Sequence, residues 1–87
     1  MSQFGFFIEY DGQHTCPIDE KHPNSTIEAA DIFTSTRLFA KKYGYKVASC
    51  DSLSEDSCRV FYNKKPLFGK SKEYIYYVRE VQHSGSI

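Results

Sequence analysis

One stretch of this chain spaces its apolar residues for a helix, and the other apolar stretches alternate. Between residues 29 and 43, Ala29, Ile32, Phe33, Thr36, Phe39, Ala40 and Tyr43 fall at i, i+3, i+4, i+7, i+10, i+11 and i+14. That spacing makes a single face at about 3.6 residues per turn. Glu28, Asp31, Ser35 and Lys42 lie away from it. Ahead of the face, Ser25-Thr26-Ile27-Glu28 reads as a capping box, with hydroxyl and carboxylate each satisfying an orphan amide, so the helix is expected to begin there. Lys41 and Lys42 oppose the dipole in its last turn, and Gly44 offers a left-handed stop. A single helix covers only one face of a sheet, which limits the architectures open to the rest of the chain.

The other periodic segments have a period of two, as strands do. Residues 3–10 alternate Phe4, Phe6, Ile8 and Tyr10 against Gly5, Phe7 and Glu9, and Asp11-Gly12 ends the run. Residues 45–50, 58–63 and 73–82 read as three further strands, the last rich in tyrosine and β-branched residues. Residues 14–23 read as a loop, 51–57 as a polar connection and 64–72 as a turn. The expected order is β-α-β-β-β, an α+β two-layer sandwich with one helix packed on a four-stranded mixed sheet. Its first two strands would be parallel neighbours joined by a right-handed crossover, and its last three an antiparallel meander. One sheet face would stay uncovered.

At 87 residues and 10.1 kDa the chain is expected to form a single domain spanning 1–87. Its 16% aromatic content and zero net charge argue against disorder. No apolar run reaches the ~20 residues of a membrane span, and the start, Met1-Ser2-Gln3-Phe4, lacks a signal-peptide pattern. Three cysteines are too few for a disulfide scaffold, so they are expected to be reduced thiols in the cytoplasm. Charge is segregated along the chain. Residues 1–35 hold six acids against one base and residues 36–87 ten bases against five acids, net −5 and +5. Bulk non-specific nucleic-acid binding does not fit zero total charge, whereas a local basic patch does.

Three constellations are candidates for binding. The loop acids Asp11, Asp19 and Glu20 would meet a basic groove on a partner. Lys64, Lys65, Lys70 and Lys72 surround Leu67 and Phe68 in the 64–72 turn, where the lysines would meet phosphates or acids and the apolar pair would wedge into a pocket. Phe7, Arg59, Phe61, Tyr77 and Arg79 interleave rings with cations on strands, the pattern single-stranded RNA uses for stacking and phosphate contact. The same residue types are enriched at protein interfaces, and tyrosine also fills half-exposed strand positions with no ligand at all.

Catalytic signatures are missing. Gly69-Lys70-Ser71 resembles the end of a phosphate-binding loop, but Lys64 stands where that motif needs glycine. His14, Cys16 and His22 cluster without the paired cysteine element of zinc sites, so no metal and no other cofactor is expected. Cys50 and Cys58, at strand ends, read as small core residues rather than nucleophiles.

Arg59, Arg79 and His83, late in the chain, resemble the basic and histidine residues of the ribosome-dependent mRNA-interferase toxins, which are also small helix-and-sheet proteins. That likeness implies a small ribonuclease using Arg79 and His83. Those toxins are usually strongly basic with two helices after the first strand, and this chain is neutral with one.

The leading expectation is a non-catalytic binding module, a small protein inhibitor or adaptor of the kind phages and mobile elements direct at host or defence machinery. Its partner would be a protein or ribonucleoprotein, with no membrane involved. Single-stranded RNA binding is the alternative, the ribonuclease a third, and homodimerisation through an edge strand rich in tyrosine is a further expectation.

Overall fold

The computed structural model describes residues 1–17, 22–67 and 69–83, excepting the side chains of Gln82 and His83. Strands β1 (Ser2–Tyr10) and β2 (Ser25–Ala29) come first, then helix α1 (Ile32–Tyr43). Strands β3 (Lys46–Ser54), β4 (Ser57–Lys64) and β5 (Lys72–His83) follow. They form one five-stranded sheet in the order β2-β1-β5-β4-β3. Every neighbouring pair is antiparallel. The α+β class and the β3–β4–β5 meander match expectation. The four-stranded mixed sheet does not, because the expected parallel neighbours β1 and β3 lie apart and a fifth strand precedes the helix.

That fifth strand is the segment read as a capping box. Ser25–Ala29 pairs with β1, with Ile27 opposite Phe4 and Ala29 opposite Ser2. Ile27 and Ala29 are buried while Thr26 and Glu28 are exposed, a period of two. The helix is capped instead by Asp31, whose carboxylate accepts from the Thr34 amide at 2.7 Å. That bond, with the Phe33 amide and Arg37 adding to it, holds the Asp31 carboxyl below its ordinary range. Asp31 and Ser25 are both good cap residues. The Asp31 start wins because it leaves Ile27 and Ala29 free to extend the sheet and bury their side chains.

The helix then buries Ile32, Ser35, Thr36, Phe39 and Ala40. Phe33, expected inside, is 53% exposed, and Ser35, expected outside, is fully buried. Ser35 is tolerated there because its hydroxyl donates to the Ile32 carbonyl, and its small volume lets the helix approach the sheet. Gly44 ends the helix at φ 74°, a left-handed conformation that glycine adopts without strain.

Phe4, Phe6, Ile27, Val60, Tyr62, Tyr76 and Val78 supply the sheet side of the core. Phe39 is the centre of a ring cluster. It lies parallel to Phe6 at 4.1 Å between centroids and also touches Tyr43, Tyr45, Tyr62 and Tyr76. The Tyr62 hydroxyl, deep in this cluster, donates to the Thr36 carbonyl at 2.7 Å.

The polar run from Asp51 to Ser54, expected as a connection, belongs to β3. As the last strand of the sheet, exposed along nearly its whole length, β3 needs no apolar filling, and its ladder to β4 suffices. Its pairing is interrupted twice, between Val47 and Ser49 and between Ser52 and Ser54. The tyrosine-rich β5 is not an edge: both of its sides are taken, by β1 and β4. The expected route to a homodimer through that strand is therefore closed.

Replacing Phe39 by alanine removes the ring on which helix and sheet meet, and should cost ~3–5 kcal/mol. Phe33→Ala should stay within ~0.5 kcal/mol, since that ring lies at the surface. Urea denaturation followed by circular dichroism measures both, and equal losses would contradict the packing described here.

Candidate interaction surface

Strand direction determines which charges meet. The helix C-terminus, the start of β3, the end of β4 and the start of β5 all lie at one end of the sheet, since Lys46 pairs with Asn63 and Lys64 with Lys72. Lys41, Lys42, Lys46, Lys64, Lys65, Lys70 and Lys72 are thereby gathered there, seven of the chain's eleven basic residues. All seven are exposed. Among the described residues none of the seven is in an ion pair. Two lie over rings: the Lys42 ammonium is 5.4 Å from the Tyr43 centroid and that of Lys64 is 5.4 Å from Tyr45. Leu67 stands in the turn among them, 91% exposed. The helix N-cap Asp31 and the β3–β4 turn with Glu55 and Asp56 lie at the opposite end.

Tyr43, Tyr45 and Tyr74 bring the edge of the ring cluster to this surface, with Tyr43 38% exposed. Tyr43 donates to or accepts from the Ser25 hydroxyl at 3.1 Å, which with the nearby Lys42 charge lowers its phenol from the ordinary value. Tyr45 is pushed the other way by burial, partly offset by its bond to the Tyr76 hydroxyl.

The sheet face opposite the helix is only partly open. Val81, Phe7 and Pro23 converge over Gly5, where an added Cβ would lie 2.7 Å from a Val81 methyl; only glycine leaves that space. Phe7 is 1% exposed in consequence, so its ring has no free side for a base. The Arg79 guanidinium lies 5.3 Å from the Phe7 centroid, and Tyr77 tilts against the same ring at 6.0 Å. Arg59 reaches across β5 to Glu9, with Nε and Nη2 donating to the two carboxylate oxygens at 2.6 and 3.1 Å. That bond is the main reason its guanidinium is held more firmly protonated than usual. Phe61 is half-buried. Of the five residues expected to stack or bind RNA, then, one is buried and another is committed to an ion pair within the chain.

Asp11, expected to face a partner, builds a turn: its carboxylate accepts from the Gln13 and His14 amides at 3.0 and 2.7 Å. Those bonds, His14 first, lower its pKa. Asp19, Glu20 and Phe68 lie outside the described residues, as does the side chain of His83. The convergence of Lys41, Lys42 and Lys46 with the 64–72 turn was missed by sequence reasoning. The signal for it was strand direction: once helix and β3 are joined by a tight cap, their junction must meet the β4–β5 turn.

The cysteines are free thiols. Cys58 is 1% exposed, and burial, with the neighbouring Cys50 adding to it, pushes its pKa up from 9.0 to about 12. Burial raises the Tyr62 and Tyr76 phenols in the same direction. Such groups hold their protons more tightly in the folded state. Their contribution is complete below the unfolded values, near 9 for the thiol and 10 for the phenols, and is lost as pH rises towards the folded ones. Folding stability should accordingly fall steeply above about pH 9–10 in a pH series of urea midpoints. At pH 8 iodoacetamide should modify Cys58 roughly a thousandfold more slowly in the native protein than in urea. Comparable rates would show that the thiol is not held as described.

No family model, no curated protein and no solved structure matches this chain.

Proposed function

We propose that the chain is a non-catalytic binding module, a small inhibitor or adaptor, that docks on an acidic surface of a protein or ribonucleoprotein partner. The supporting observation is the gathering of seven lysines at the end of the sheet that also carries the almost fully exposed Leu67. An exposed apolar side chain among like charges has the layout of an interface anchor. Burial of the leucine supplies affinity, and the lysines steer encounter and reject basic surfaces. Lysines without ion-pair partners among the described residues lose little by turning to a new one. The free thiols suit a reducing compartment, and we assign the module to the cytoplasm.

The tyrosine rings beside the lysines favour a second reading, in which single-stranded RNA stacks on Tyr43 and Tyr74. It uses the helix side of the sheet, away from the enclosed Phe7.

The two separate in one experiment. Immobilised protein is challenged with host lysate, with and without nuclease, beside the variants Leu67→Asp and Lys64→Glu/Lys65→Glu/Lys70→Glu. A discrete protein complex should be retained after nuclease, and each variant should reduce it by at least about tenfold while keeping the native circular dichroism. Retained material that is RNA and vanishes on nuclease moves the conclusion to the second reading. Undiminished retention by both variants overturns the docking surface.

A further inference from the structure

On the side of the sheet away from the helix, a cleft of about 380 Å³ opens between β1, β5 and the turn that follows β1. Glu9, Tyr10, Thr15, Arg59, Glu73 and Ile75 line it. It is a shallow, widely open depression, able to take a side chain laid along the surface rather than to enclose a ligand. Its walls are held in place. The Thr15 backbone bridges to Tyr10, the Cys16 amide donates to the Glu9 carbonyl at 2.8 Å, and Asp11 pins the intervening turn. Gly12, at φ 94°, brings that turn against the backbone of Glu73, where a Cβ would meet the carbonyl at 3.5 Å.

Charge in the cleft does not cancel. Glu9 and Arg59 neutralise one another through their two-pronged pair, and Glu73 is left. Glu73 is exposed, and on the same sheet face it neighbours Asn63, which carries no charge. Between the ion pair and Glu73, Ile75 and Tyr10 supply apolar surface, directly paired across the two strands. A site with one uncompensated carboxylate at its rim and a short apolar floor suits a cation carried on an apolar stem. A basic side chain has that form: the methylenes lie on the floor and the head reaches the carboxylate.

We propose that this cleft is a second binding site, separate from the lysine-rich end, that receives an arginine or lysine side chain of a peptide segment at Glu73. Anionic groups are disfavoured at the rim by Glu73 itself, and Arg59 does not offset it because Glu9 already occupies the guanidinium. Lys64 lies over Tyr45 on the sheet face that carries the helix, whereas the stem of Lys72 runs against Gly12 in the turn beside the cleft.

Titration of the full chain with N-acetyl-arginine methylamide, followed by amide nuclear magnetic resonance, tests this. Saturable shifts should appear at Tyr10, Thr15, Glu73 and Ile75. Glu73→Gln should weaken the half-saturation point by about fivefold or more, with the remaining spectrum unchanged. The neutral analogue N-acetyl-norleucine methylamide should give no saturable shift. Leu67→Asp should leave the titration as it was, so that failure of the docking surface and failure of this cleft are read independently. Equal binding by the neutral analogue, an unaltered titration in Glu73→Gln, or no saturable shift at these four residues overturns the proposal.

Discussion

The parallel stack of Phe39 on Phe6 is where a one-helix layer is joined to a five-stranded sheet, and much of the structure is arranged to permit it. A helix of twelve residues offers few side chains to bury, so each must count. Ser35 and Ala40 are small enough to let the backbone approach, and the ring between them reaches into the sheet. Tyr45, Tyr62 and Tyr76 then close around that ring, each half or more enclosed, with their hydroxyls finding one another or the Thr36 carbonyl. A core made of tyrosine carries polar tips into apolar space, and those tips are satisfied here by the helix backbone or by a neighbouring phenol.

The same economy explains the opposite face. With no second helix among the described residues to cover it, the sheet uses its own means: a glycine in β1 that admits Pro23 and Val81, a guanidinium laid over Phe7, and an ion pair bridging β1 to β4. These features convert a surface that reads as an aromatic and basic platform into one whose cations and rings are largely occupied by each other. What remains accessible is displaced to the ends of the strands. Lysine-rich turn and helix terminus meet at one end, and the Glu73 cleft lies beside them on the far side.

Much of the fold was legible in the sequence. Alternation in β1 separated Phe4, Phe6 and Ile8 from Phe7 correctly, although it did not say which set meets the helix, and the irregularity between Ile8 and Tyr10 turns Tyr10 to the side opposite the one expected. The helix stop at Gly44 was equally plain. Two elements were hidden. Ser25–Ala29 carries both a capping pattern and a short alternation, and only the sheet partner offered by β1 decides between them. Residues 51–54 offer one apolar side chain, Leu53, itself largely exposed, because so solvated an outer strand requires little apolar filling. The surface was harder to read than the fold. Composition placed lysines in the 64–72 turn, but their meeting with Lys41, Lys42 and Lys46 depends on strand direction. Conversely, Arg59 and Phe7 looked available because a linear sequence does not show Glu9 and Pro23 folding over them.

The two interruptions in the β3 ladder bear on how much of this protein a cell can hold. A long solvated outer strand with regular pairing would be a template on which further copies add, and crowding would turn monomers into ribbons. Local kinks spoil the straight row of amides and carbonyls that such growth requires, and Lys46 sets a like charge against any approaching twin. An irregular border strand therefore works against such growth as copies of the chain accumulate.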